Sequence, residues 1–196
     1  MVESGRTYKL VNAKAGTVLD LSGADNRQTI GYGYHGGDNQ KWALEQEDNQ
    51  WLLRNVASGL YLSVEGLVED GTSVLATGEH FKWDIWPDEE DSSTFRLFVP
   101  NTQFNMDLSD HGSAVPGTHV VIWTKWHPGK NQTWRFEEVP GIASDYLCAW
   151  ASSGVAACVG AYHYWEFRLR AGATSAHYFY VFLLLATSRL FRGSLE

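Results

Sequence analysis

Cysteine is nearly missing from this chain. Its 196 residues include two, Cys148 and Cys158, and none before them, so the fold of the preceding region does not depend on disulfides. Basic charge is scarce as well. Residues 1–140 carry 11 Lys and Arg against 20 Asp and Glu, and the whole chain has a formal net charge of −8. An acidic chain without a basic stripe repels phosphate backbones, which argues against nucleic acid as a partner. The acidity reads as a solubility feature. Residues 1–140 show no amphipathic helical period. No Cys, His and carboxylate spacing suggests a metal site, and no cofactor is expected. The stretch Pro87-Asp88-Glu89-Glu90-Asp91-Ser92-Ser93 places four carboxylates in a row but lacks the alternating ligands of a calcium loop, so it reads as a solvated connector. The N-terminus, Met1 to Arg6, has no apolar core of a secretory signal. A cytoplasmic location, or release by a non-classical route, is expected.

What the chain does have is repetition. Asn39-Gln40-Lys41-Trp42 returns as Asn131-Gln132-Thr133-Trp134, with a degraded copy, His80-Phe81-Lys82-Trp83, between them. Each follows a strand-like stretch of similar texture: Val18 to Ser22, Leu60 to Val64, and Asn105 to Ser109. Copies forty to fifty residues apart, each closing on Gln-x-Trp or its remnant, indicate a fold built by internal triplication. Short runs rich in Val, Ile, Thr and aromatics, broken by Gly, Asn, Asp and Ser, read as strands and turns. The expected class is all-β, with three pseudo-repeats in one domain over residues 1–140.

The repeats also carry a polar set suited to a sugar. A carboxylate accepts hydroxyl protons through charge-assisted bonds. A carboxamide donates and accepts at a neighbouring hydroxyl. An aromatic ring covers the C–H face of a pyranose. The first repeat supplies Asp20, Tyr32 or Tyr34, His35, Asn39 and Gln40, and the third supplies Asp107, Trp123 or Trp126, His127, Asn131 and Gln132. Counting back from the repeat Trp pairs Tyr34 with Trp126; a β-bulge in one copy pairs Tyr32 with Trp123 instead. The second repeat has Ser63 in place of the carboxylate, His80-Phe81 in place of Asn-Gln, and no aromatic in Val74 to Gly78. Two sites per chain are therefore expected. Each residue also has a plainer role. Trp42, Trp83 and Trp134 suit the core, the Gln pair suits backbone support, and Asp20 and Asp107 suit turn capping.

These motifs resemble the ricin B-type lectins, in the versions found in mushroom lectins and family-13 carbohydrate-binding modules. The resemblance covers roughly residues 5–139. It implies a β-trefoil, in which six strands close a barrel and six cap it as hairpins. It implies a non-catalytic protein whose partners are glycoproteins or glycolipids bearing galactose or N-acetylgalactosamine. In that pattern the Asp and Asn bond hydroxyls, the aromatic stacks, and Gln40 and Gln132 support the Asp or the fold. A defensive role is common among fungal lectins of this type, and a homodimer is one expected assembly. The alternative from another class is a β-trefoil protease inhibitor, for which the retained Asp and Asn pairs would have no use. A module cut from a glycoside hydrolase lacks support, since no second domain carries a carboxylate pair.

Residues 141–196 change in texture to an Ala-, Ser- and aromatic-rich extension with no repeat. The apolar run His177 to Ala186 is short for a membrane span, which needs about 20 residues. Membrane association is expected only through glycans or this marginal segment. Three readings stay open: a packed extension or dimer contact, a marginal tail anchor, and a non-native or disordered extension, the last preferred. Cys148 or Cys158 with His163 does not make a catalytic site, because 56 residues are too few for a protease domain and a lone Cys and His is a weak signal.

Overall fold

The computed structural model describes residues 2–139. The expectations for the extension, including Cys148, Cys158, His163 and the apolar run from His177, lie outside the described residues. Twelve strands form the domain: β1 (Thr7–Asn12), β2 (Val18–Leu21), β3 (Thr29–Tyr32), β4 (Trp42–Glu47), β5 (Gln50–Asn55), β6 (Tyr61–Val64), β7 (Val74–Thr77), β8 (Asp84–Pro87), β9 (Phe95–Phe98), β10 (Phe104–Leu108), β11 (Thr118–Thr124) and β12 (Trp134–Glu138).

Six of them close a barrel. β1 pairs with β4, β4 with β5, β8 with β9, β9 with β12, and β12 returns to β1. An isolated bridge between Trp51 and Trp83 joins β5 to the start of β8. The other six form the hairpins β2–β3, β6–β7 and β10–β11. These hairpins meet through the β3–β11 pairing and through bridges Gln28–Leu75 and Ser73–Val121. This is the expected β-trefoil, with each hairpin preceding its own repeat's tryptophan.

The three repeat tryptophans explain the symmetry. Trp42, Trp83 and Trp134 are fully buried. Each indole N–H donates to a main-chain carbonyl of its own repeat's second strand: Leu19 at 3.2 Å, Leu62 at 2.9 Å and Met106 at 3.3 Å. A buried indole needs such an acceptor, so each Trp ties its strand to the hairpin above while filling the core. Leu10, Leu19, Leu44, Leu53, Leu62, Leu97, Met106 and Ile122 complete that core.

One detail differs from the sequence reading. The acidic connector is not wholly solvated. Asp88 is buried and accepts from Arg96 Nε at 2.6 Å, and its second oxygen accepts the N–H groups of Glu90 and Asp91. Burial opposes the Asp88 charge, but Arg96 and those N–H donors outweigh it and hold the carboxyl below its ordinary value. A single turn at Ser109–Gly112 lies between β10 and β11, and in it Asp110 and His111 take left-handed φ values of 52° and 54°. It is a tight loop rather than a helix.

Candidate functional site

The hairpin registers align the repeats residue by residue. In β2–β3, Asp20 faces Ile30 and Val18 faces Tyr32. In β10–β11, Asp107 faces Val121 and Asn105 faces Trp123. Asp20 therefore corresponds to Asp107, and Tyr32 to Trp123. In β6–β7, Ser63 faces Leu75 and Tyr61 faces Thr77, so the second repeat has Ser and Thr at the two positions. Both platform candidates are large, half-open rings, each 43 % exposed. The strands carry no bulge between carboxylate and platform. The third repeat's additional residue lies after Trp123, in the loop leading to Trp134.

Tyr34 and Trp126, the other two aromatic candidates, sit in the loops. Lys9 Nζ stands 4.2 Å over the Tyr34 ring, a cation–π contact. Trp126 is exposed, and its main-chain N–H donates to Gln132. Neither shares the strand position beside the carboxylate.

The first site is compact. Asp20 is 4 % exposed. Its Oδ2 accepts from Gln40 Nε2 at 2.8 Å and lies 3.4 Å from His35 Nε2. The His35 Nδ1 accepts from the Gly37 N–H, so in a neutral imidazole the proton sits on Nε2, facing the carboxylate. His35 also meets the Tyr32 ring edge-on, with centroids 6.2 Å apart. Gly37 lets the two side chains close in: a Cβ there would lie 2.6 Å from both Asn39 Oδ1 and His35 Cε1, and one of them would have to move. Gln40 completes the set: its Oε1 accepts the His35 N–H and its amide also donates to Gly33 O. Asn39 donates to Leu21 O at 3.1 Å and is half-buried.

The third site uses the same parts differently. Asp107 is 5 % exposed and accepts from Asn131 Nδ2 at 2.9 Å. Burial pushes its carboxyl up to about 6, against the amides of Gln132 and Asn131 and the charge of His111. Asn131 itself is buried, and its Oδ1 has no protein partner among the described residues. The Ser109–Gly112 turn closes over it: a Cβ on Gly112 would come within 2.7 Å of Asn131 Cβ. Asn131 therefore faces a ligand less openly than Asn39. His127 departs from the expected set. Its ring nitrogens face Glu89 and Glu90, at 3.6 and 3.7 Å, rather than Asp107.

In both sites Oδ2 of the carboxylate is held by an amide, Gln40 at Asp20 and Asn131 at Asp107, and at Asp20 Oδ1 accepts no hydrogen bond among the described residues. A fixed carboxylate with a free oxygen beside an open ring can bond a hydroxyl while the ring covers C–H groups. Among the described residues, no group of three His, Cys or carboxylate side chains gathers to hold a metal.

Three residues that hold these sites were not singled out in the sequence. Asn12 Nδ2 donates to Asn131 O at 2.9 Å, and Asn55 Nδ2 donates to Asn39 O at 3.0 Å. Asn55 pins the Gln-x-Trp turn of the first repeat, and Asn12 that of the third. The corresponding position after the degraded second copy is Val99, the residue following Phe98 opposite Asp84. Tyr61 and His80, with ring centroids 4.2 Å apart, pack together in that copy. The third residue is Arg96, 2 % exposed. It donates to Asp88, to Asn105, to Gln132 Oε1 at 2.9 Å and to Pro128 O at 3.0 Å. Gln132 in turn donates to Thr124 O, so one guanidinium braces the third site's loop.

Comparison with known proteins agrees with this geometry. The family described as ricin-type beta-trefoil lectin domain-like matches residues 1–77 and 38–123. The ricin B-like lectin of Macrolepiota procera, solved in complex with lactose, is 48 % identical, with a TM-score of 0.69 over 71 % of this chain and 99 % of that one. The Rhizoctonia solani agglutinin is 30 % identical, with a TM-score of 0.63 over 71 % and 99 %. A designed threefold-symmetric protein, ThreeFoil, is 27 % identical, with a TM-score of 0.62 over 68 % and 99 %. No curated protein matches the chain.

Proposed function

From a chain that belongs to the ricin-type β-trefoil lectin family, we propose a non-enzymatic lectin that binds glycans ending in galactose or N-acetylgalactosamine through its first and third repeats. The observation that carries this reading is the shared register of Asp20 with Tyr32 and of Asp107 with Trp123. A pyranose with an axial hydroxyl presents a C–H patch to such a ring while its vicinal hydroxyls reach the carboxylate. The lactose held by the Macrolepiota relative supports a galactoside. Neither site assembles a nucleophile, a base and an orienting partner, so binding without chemistry is the fitting role.

Two modest sites on one chain give avidity toward surfaces that display many copies of the sugar. Agglutination of foreign cells, and hence defence, is the role we attach to it. The test is a glycan array probed with the full chain, with free lactose as competitor. Signal on terminal galactosyl or N-acetylgalactosaminyl structures, removed by lactose, is the expected result. A blank array overturns the proposal.

A further inference from the structure

The most exposed tryptophan among the described residues is in none of the repeat sites. Trp86, on β8, is 59 % exposed. It stands in a groove of about 510 Å³ that runs between the β8–β9 hairpin, the turn at Asn101 to Gln103, and Lys125.

The pseudo-threefold shows that the fold does not require an aromatic there. Trp86 faces Arg96 three residues after the buried Trp83. The same positions after Trp42 and Trp134 are Glu45 and Glu137, facing Leu52 and Lys9. Both glutamates are solvated and ion-paired, Glu45 to Arg54 and Glu137 to Lys9. At this one junction an ion-paired carboxylate is replaced by an indole that covers no core.

The surroundings of the indole identify what it would meet. Asn101 and Gln103 offer amides, Asp84 a carboxylate and Lys125 an ammonium, and Phe98 adds one further ring. Gln50 Nε2 holds Asp84 Oδ1 at 3.0 Å, and Glu89 holds Lys125 at 2.8 Å. The buried Arg96–Asp88 pair forms a fixed wall. A protein anchor needs a broad apolar surround, which this groove lacks. A nucleic acid would meet Asp84 and Glu89 with its phosphates. An exposed flat ring edged by amides and a carboxylate matches a sugar, with C–H groups on the ring and hydroxyls on the edges.

We propose that the Trp86 groove is a saccharide-binding subsite for a pyranose unit, separate from the repeat sites. It does not rest on those sites being active, and the test keeps the two apart. The full chain is labelled with 15N-tryptophan, and the Trp86 and Trp123 indole signals are assigned by their loss in Trp86→Phe and Trp123→Phe. Lactose, N-acetylglucosamine, methyl mannoside and cellobiose are titrated singly to tens of millimolar. In the Asp20→Ala/Asp107→Ala chain, the Trp86 signal should move saturably with at least one probe. Trp86→Ala on that background should weaken the residual binding about tenfold, the loss expected for one stacking ring. A Trp86 signal that stays still with all four probes overturns the subsite. In the unmodified chain the Trp123 signal reports on the repeat site, so its movement without that of Trp86 leaves the lectin reading standing and removes this one.

Discussion

Arg96 donates from Nη1 to Gln132 Oε1 at 2.9 Å while its Nε holds Asp88 Oδ1 at 2.6 Å. One buried cation thus joins the connector between repeats two and three to the loop of the third site. Leu52 occupies the corresponding position after the first repeat, so the barrel accepts an apolar residue there. Arg96→Leu should nevertheless cost about 3–5 kcal/mol, because it leaves a buried carboxylate without its cation. Adding Asp88→Asn should recover much of that loss. Urea denaturation of the two variants checks this, and a single variant as stable as the parent would show that the pair is not a structural tie.

The platform assignment predicts an uneven response among four aromatics. Tyr32→Ala and Trp123→Ala should each remove one sugar site, a loss of roughly 0.5–1.5 kcal/mol in ring contact on top of the area uncovered. Tyr34→Ala and Trp126→Ala should leave most of the affinity. Calorimetric titration with lactose separates the outcomes through the number of sites filled. Equal losses at Tyr34 and Tyr32 would mean that the stacking ring is set by the loop and not by the strand.

Asp107 should make the proposed third site sensitive to acid. Burial raises its folded-state value to about 6 from an ordinary 3.8. Between those values the folded chain keeps a proton that the unfolded chain releases, so this group's contribution to stability falls as pH rises through the window and is flat above it. Asp107→Asn should therefore melt higher than the parent near neutral pH, with the gap closing as pH drops toward 4. Sugar binding runs the other way, because the ionised carboxylate is the better acceptor. In an Asp20→Ala chain, which isolates the third site, affinity for lactose should fall between about pH 8 and about pH 5. Affinity that holds constant across that range would contradict an ionising Asp107 at the contact.

Much of this architecture is legible in the sequence, because the triplication puts the same side chains through the same environment three times. The burial of Trp42, Trp83 and Trp134, and the equivalence of Asp20, Ser63 and Asp107, follow from the repeats alone. The platform does not. Counting back from the repeat Trp misaligns Tyr32 and Trp123, since the third repeat's additional residue lies in the intervening loop and only strand register locates it. Asn12 and Arg96 escape notice for a different reason. Their partners Asn131 and Gln132 are 119 and 36 residues away, and nothing local marks an Asn at a strand end or an Arg in a strand as buried. Asp88 misleads because charge runs are usually solvated, and its burial depends on Arg96 lying across the hairpin.

The last prediction concerns where the domain ends. β12 pairs with β1 from Glu138 opposite Tyr8 to Trp134 opposite Asn12, and the Val139 N–H donates to Thr7 O at 2.9 Å. Every barrel strand has both neighbours by that residue. A chain ending at Pro140 should therefore fold cooperatively and bind lactose as tightly as the full chain. Residues 177–186 are apolar and uncharged with high β-propensity, a pattern that promotes aggregation when exposed. The shortened chain should accordingly be the more soluble of the two. Thermal unfolding, calorimetry and the soluble fraction after expression test the three parts. A shortened chain that is insoluble or unfolded would mean that the extension supplies part of the core.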